Sequence, residues 1–166
     1  MSEVKEEYVK WSDSLSMRVS FIDHQHKALL ELINELYGHL RGNEEEKLAC
    51  FQATVKQLAL YAKNHFADEE KMMLRIKFPD YSFHKKTHDD FVETVSKTIR
   101  DFEDKKFLVI EKLAVFLKEW VLTHIAGEDK KYSDYLCKIA TRKASGKLTI
   151  TPDDVKAAET SSINLN

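Results

Sequence analysis

The sequence predicts an all-α protein: an up-down-up-down antiparallel four-helix bundle with an N-terminal arm and a short C-terminal extension. Three observations point there. Only 4 Gly and 2 Pro occur in 166 residues, so the chain has few places to turn and favours a few long elements. Hydrophobic residues make up 43% and charged residues 33%, enough for one core under a polar surface. Apolar residues recur at alternating steps of three and four in four separate stretches, the mark of helices with one buried face.

The first stripe is Ile22, His26, Leu29, Ile33, Leu36 and Leu40, and it ends at Gly42-Asn43, a stop-and-turn signal. The second is Leu48, Phe51, Val55, Leu58, Ala62, His65, Glu69, Met72 and Ile76. Asn43 and Glu46 resemble a capping box at its start, and Pro79 stops it. The third is Tyr81, His84, His88, Phe91, Val95, Thr98 and Phe102, with Asp80 or Ser82 as its cap. The fourth is Ile110, Leu113, Leu117, Trp120 and His124, starting after the polar EDKK at 103–106 and running on through Leu136 toward Ala140. Short connections between such helices give antiparallel neighbours.

The bundle domain spans 1–140, with residues 1–19 as an arm that Trp11 could anchor across the helices. Residues 141–166 form a polar tail, in which Thr151, Pro152 and Asp154 signal a short helix over 152–159. Cys50 starts the second helix and Cys137 ends the fourth. Those helices run parallel, so the thiols lie at opposite ends, far beyond the ~7 Å that a disulfide spans, and both are expected free.

Charge and patterning exclude several function classes. The net charge of −2 carries no basic footprint for nucleic acid. The start, MSEVKEEYVK, lacks the apolar core of a secretory signal. No apolar run approaches membrane-spanning length, so no membrane association is expected and the cytoplasm is the expected compartment.

Chemistry enters with the polar residues on the buried stripes. In IDHQHKALLELINEL (22–36), residues two apart on a helix point to nearly opposite sides, so only one of His24 and His26 faces inward. His26 lies on the stripe and His24 does not. His39 sits beside the end of its stripe and is expected to be exposed. Five histidines therefore face the core: His26, His65, His84, His88 and His124.

A lone buried histidine is ordinarily a hydrogen-bonded core residue. Here every stripe carries one, and an ionised Glu69 among them would be costly without a cation. A polar network without metal would have to supply partners for five imidazoles. A shared metal site satisfies all of them. One zinc takes about four ligands, too few for this set. Magnesium and calcium prefer oxygen. Two octahedral metals bridged by carboxylates would use every donor, and histidine with carboxylate suits iron. The ferritin-like di-iron class is disfavoured, because no Glu-x-x-His motif occurs.

These residues are similar to the hemerythrin family, specifically its bacterial members, the bacteriohemerythrins. The similarity rests on DHQH (23–26), HFADE (65–69), HKKTH (84–88) and HIAGED (124–129), and on the WSDSLSM opening at 11–17. It covers about residues 10–138. It implies reversible dioxygen binding at a non-haem di-iron centre. Carried over residue by residue, it implies His84, His88 and His124 on one iron and His26 and His65 on the other. Glu69 and Asp129 would bridge the two irons together with an oxo or hydroxo group. One position on the second iron would stay open for dioxygen.

Asp129 comes from the resemblance alone. It lies five residues after His124, where Glu128 at four fits a regular turn better. Gly127 could relax the helix into a π-like turn that brings Asp129 inward. The resemblance also implies a dioxygen pocket lined by Leu29, Phe66, Trp120, Val121 and Ile125, which are otherwise ordinary core positions.

The function these expectations favour is dioxygen storage, delivery or buffering by a protein that is not an enzyme. The alternatives are a di-iron enzyme (peroxidase, oxidase or nitric-oxide-handling), an oxygen or redox sensor, and a zinc-filled or empty structural bundle. No nucleophile arrangement or Gly-rich phosphate loop supports catalysis, and no transducer domain in this sequence follows the bundle. Protein partners, oxygen affinity and oligomeric state are not encoded in any motif.

Overall fold

The computed structural model describes residues 7–102 and 106–144. Four long helices run up, down, up and down. Helix one is Ser20–His39. Helix two spans 44–75, as Glu44–Tyr61, a π-helical turn Ala62–Phe66, and Ala67–Arg75. Helix three is Tyr81–Asp101. Helix four spans 106–144, as Lys106–Thr123, a second π turn His124–Asp129, and Lys130–Ala144. Helices one and three each pack against both two and four. The helix expected over 152–159 lies outside the described residues.

The stripes face inward as their period requires. Ile22, Leu29, Ile33, Leu58, Leu113 and Leu117 are each at most 1% exposed. Burying one such side chain contributes ~1.5–3 kcal/mol. No helix among the described residues is long and apolar enough to cross a membrane. Both cysteines are free thiols.

The boundaries follow local chemistry. Asn43 and Glu46 form the full capping box: the Asn43 side chain accepts from the Glu46 N–H and the Glu46 carboxylate accepts from the Asn43 N–H, both at 3.0 Å. Asp80 is the cap residue of helix three, but its side chain makes no capping bond. Pro79 is not what stops helix two. The Phe78 N–H donates to the Met73 carbonyl at 2.9 Å and the Lys77 N–H to the Leu74 carbonyl at 3.1 Å. This is a Schellman closure, with buried Phe78 and Met73 as its apolar contact and Lys77 left-handed at φ 53°.

The arm is held by more than Trp11, which is only half-buried beneath Lys27 Nζ at 4.8 Å. Val9 exchanges two 2.8 Å backbone bonds with the Asn34 side chain, and Tyr8 stacks on Tyr37 at 3.7 Å. Further along, Leu15 and Met17 enter the core. Asp23 accepts from the Met17 N–H and the Ser16 hydroxyl, each at 2.6 Å, and Ser133 donates to the Met17 carbonyl at 2.7 Å. The arm is thereby tied to helix one and to the stretch of helix four just past the second π turn.

Candidate metal centre

Helix one contributes His26, helix two His65 and Glu69, helix three His84 and His88, and helix four His124 and Asp129. All seven are at most 4% exposed. His84 and His88 stand one turn apart on one face, as i and i+4 must. Asp129 reaches the interior because His124–Asp129 is a π turn, which closes at i+5. Glu128, the regular i+4 alternative, points outward and pairs with Lys131 at 2.8 Å. Gly127 adopts no positive φ, and a Cβ there would meet nothing within 4 Å, so the turn does not depend on glycine. The first π turn has no counterpart among the sequence expectations. It delivers both His65 and Phe66 to the interior.

The donors form two groups that share both carboxylates. Glu69, His84, His88, His124 and Asp129 make one group; His26, His65, Glu69 and Asp129 make the other. Within each, ligand atoms lie within 4.8 Å of one another. Asp129 Oδ1 faces His124 Nε2 at 3.0 Å and His84 Nε2 at 3.3 Å, while its Oδ2 faces His26 Nε2 at 3.2 Å. Glu69 Oε2 lies 3.4 Å from His88 Nε2, 3.5 Å from His65 Nε2 and 3.7 Å from His84 Nε2.

Outer partners fix the ring protons. His65 Nδ1 donates to Gln25 Oε1 at 2.8 Å, and Gln25 in turn donates to Asp68 at 3.1 Å. His88 Nδ1 donates to Glu70 Oε1 at 3.2 Å. The Thr87 hydroxyl donates to the His84 carbonyl at 2.7 Å, so its oxygen accepts from His124 Nδ1 at 3.3 Å. With its proton on Nδ1, a neutral imidazole turns a bare Nε2 inward. Yet His88 Nε2 stands 3.1 Å from both His84 Nε2 and His124 Nε2. Lone pairs at that separation repel unless a cation or a proton lies among them. Donors 3.1 Å apart match neighbouring ligands on one ion with bonds near ~2.1 Å.

Electrostatics agree. Burial and mutual repulsion would raise Glu69 and Asp129, but the imidazoles around them hold both well below the usual carboxylate range. Burial would lower His84, but Asp129 and Glu69 outweigh it and lift the ring to about 9. Burial dominates at His65 and lowers it to about 3. Both ring nitrogens of His26, His65 Nε2, Glu69 Oε2, His84 Nδ1 and both oxygens of Asp129 find no hydrogen-bond partner. Buried polar atoms are rarely left so, and a bound cation would satisfy them together. The cluster has the donor set of a metal site.

A family model described as the hemerythrin HHE cation binding domain matches residues 17–136. The chain belongs to the hemerythrin family. It is 33% identical over 134 residues to a myohemerythrin of Theromyzon tessulatum, covering 81% of this chain and 98% of that one. It is 32% identical over 127 residues to a bacteriohemerythrin of Pseudomonas aeruginosa, covering 76% and 80%. A crystal structure of a hemerythrin point mutant superposes with a TM-score of 0.66 at 26% identity, over 77% of this chain and 96% of that one.

Within this hemerythrin fold, two of the five expected pocket residues stack on rings of the cluster. Leu29, Phe66, Val121 and Ile125 are buried, and Trp120 is half-buried. Phe66 stacks on His88 at 3.9 Å and Trp120 on His124 at 4.2 Å. His24 is exposed as expected. His39 is half-buried rather than exposed, and its Nδ1 bonds the Glu35 carbonyl at 2.8 Å. Reading the stripes missed Gln25, Glu70, Thr87 and Tyr132. The first three sit beside ligands on the flanks of the stripes. Tyr132 follows Asp129 by three and could have been found by extending the buried face of helix four.

Proposed function

We propose that this chain binds dioxygen reversibly at a pair of iron ions, as a storage, delivery or buffering protein of the cytoplasm rather than an enzyme. The observation that carries the reading is the pair of donor groups sharing Glu69 and Asp129, with three histidines on one side and two on the other. His84, His88 and His124 would hold one ion, and His26 and His65 the other. Glu69 and Asp129 would bridge them, with a solvent-derived oxygen as the third bridge. Two ferrous ions supply the two electrons that reversible dioxygen binding draws on. The two-histidine side is one nitrogen poorer, so dioxygen would bind there.

The chain's own residues make the site suit a carrier. Gln25, Glu70 and Thr87 hold three rings by their Nδ1 atoms, so the inward nitrogens stay bare. Leu29, Phe66, Trp120, Val121 and Ile125 would form an apolar wall that keeps water and anions from displacing the bound gas.

The test is to load the reduced protein with ferrous iron, expose it to oxygen, and purge. Two irons per chain and a colour that appears and then vanishes on purging are expected. Rapid irreversible oxidation with product release would replace the carrier reading by an enzymatic one. Metal analysis that finds zinc, or fewer than two irons per chain, would refute the di-iron assignment.

A further inference from the structure

The two buried carboxylates are treated unequally. Glu69 Oε1 accepts the Tyr132 hydroxyl proton at 2.6 Å. Glu69 Oε2 and both oxygens of Asp129 accept no hydrogen bond. Tyr132 is 0% exposed, and its ring stands edge-on to His84 with centroids 5.7 Å apart. It lies on helix four one turn past Asp129, with its hydroxyl turned to Glu69. An O–H···O⁻ bond this short belongs to the strong, charge-assisted class.

We propose that Tyr132 is a positioning residue that draws charge from Glu69 and thereby biases the metal pair toward its reduced state. This rests on the di-iron reading above. One lone pair of Glu69 Oε1 is committed to Tyr132, so that oxygen is the weakest metal donor among the four carboxylate oxygens. Weakening an anionic donor takes more stabilisation from a ferric ion than from a ferrous one. Each ion loses one electron on passing from ferrous to ferric, and that loss becomes less favourable. Hydrogen bonding to a ligand is one of the levers by which proteins set metal potentials.

Tyr132→Phe keeps the ring and its packing and deletes only the donor. The ferric/ferrous midpoint, measured by mediated spectroelectrochemical titration, is expected to fall. At a fixed potential the ferric-to-ferrous ratio should rise roughly tenfold, the scale of one hydrogen bond to a charged group. Tyr132→3-fluorotyrosine, a stronger donor, should move the midpoint the other way, a response that a purely structural ring would not give. Equal midpoints in all three proteins would overturn the proposal.

Infrared spectra of the zinc-loaded protein, with its glutamates isotopically labelled, read the same bond without iron. A carboxylate band that shifts between wild type and Tyr132→Phe supports it, and an unshifted band overturns it. If the wild-type protein takes up no iron, the di-iron reading fails while this measurement still decides the Tyr132–Glu69 contact.

Discussion

At the scale of single residues, the cluster shows a division between side chains that offer donor atoms and side chains that aim them. Gln25 offers the cluster no donor atom; its carbonyl oxygen holds His65 Nδ1 at 2.8 Å while its amide is anchored on Asp68. Gln25→Leu should leave the fold intact and free the His65 ring to rotate and change tautomer. Outer partners of this kind are worth about 10–100-fold in metal affinity. Chelator competition should therefore show a loss of that size; an unchanged affinity would mean that packing alone orients His65. Phe66 and Trp120 pose a different question, because each stacks on a histidine and also seals the interior. Phe66→Ala or Trp120→Ala opens a water-accessible void beside the site. The lifetime of the oxygenated protein, followed by its visible absorbance, should shorten in either variant. Unchanged lifetimes would reduce the two rings to ordinary core.

At the scale of elements, periodicity exposed the four helices, their order and the five inward histidines, because a 3.6-residue repeat is a property of composition along one face. A π turn is not such a property. It adds one residue to a single turn, and a stripe with one late member reads as noise. That is why spacing favoured Glu128 over Asp129, and why the turn Ala62–Phe66 went unforeseen. The outer partners stayed hidden for a related reason: a Gln or Thr on the flank of a stripe looks like any solvated residue until the neighbouring helix is in place. Helix ends were partly readable. The capping box at Asn43 is a two-residue code and was legible, whereas the closure of helix two places a lysine where the αL geometry ordinarily selects glycine. Left-handed backbone costs a non-glycine residue roughly 1–2 kcal/mol, offset in part by the greater freedom of glycine in the unfolded chain. Lys77→Gly should accordingly stabilise the protein by about 0.5–1 kcal/mol in urea unfolding. A destabilised variant would show that contacts of the lysine, not its backbone, matter at this corner.

At the scale of the whole molecule, a metal bound in this cluster would also be a structural element, since the donors come from all four helices and several of their atoms find no hydrogen-bond partner among the described residues. Metal binding and folding would therefore be coupled. With free metal at about a thousand times its dissociation constant, the gain is about 4 kcal/mol, or roughly 10 °C in melting temperature for a domain of this length. The size of that gain should depend on pH, with a sign that His84 sets. In the metal-free protein its pKa is raised from 6.5 to about 9 by the two carboxylates, against the pull of burial. The stability this supplies is fully present below about pH 6.5 and is lost as the pH rises through about 9. Protonated His84 also cannot serve as a ligand, so metal must expel that proton, and affinity climbs as the competitor is removed. Both effects act in one direction: between pH 6.5 and 9 the metal-free protein weakens while metal binds more tightly. Melting curves with and without bound metal should separate progressively across that window and stop diverging above it. A gap that stays constant or narrows toward pH 9 would mean that His84 is not held protonated by Glu69 and Asp129, and that the empty cluster relaxes by some other rearrangement.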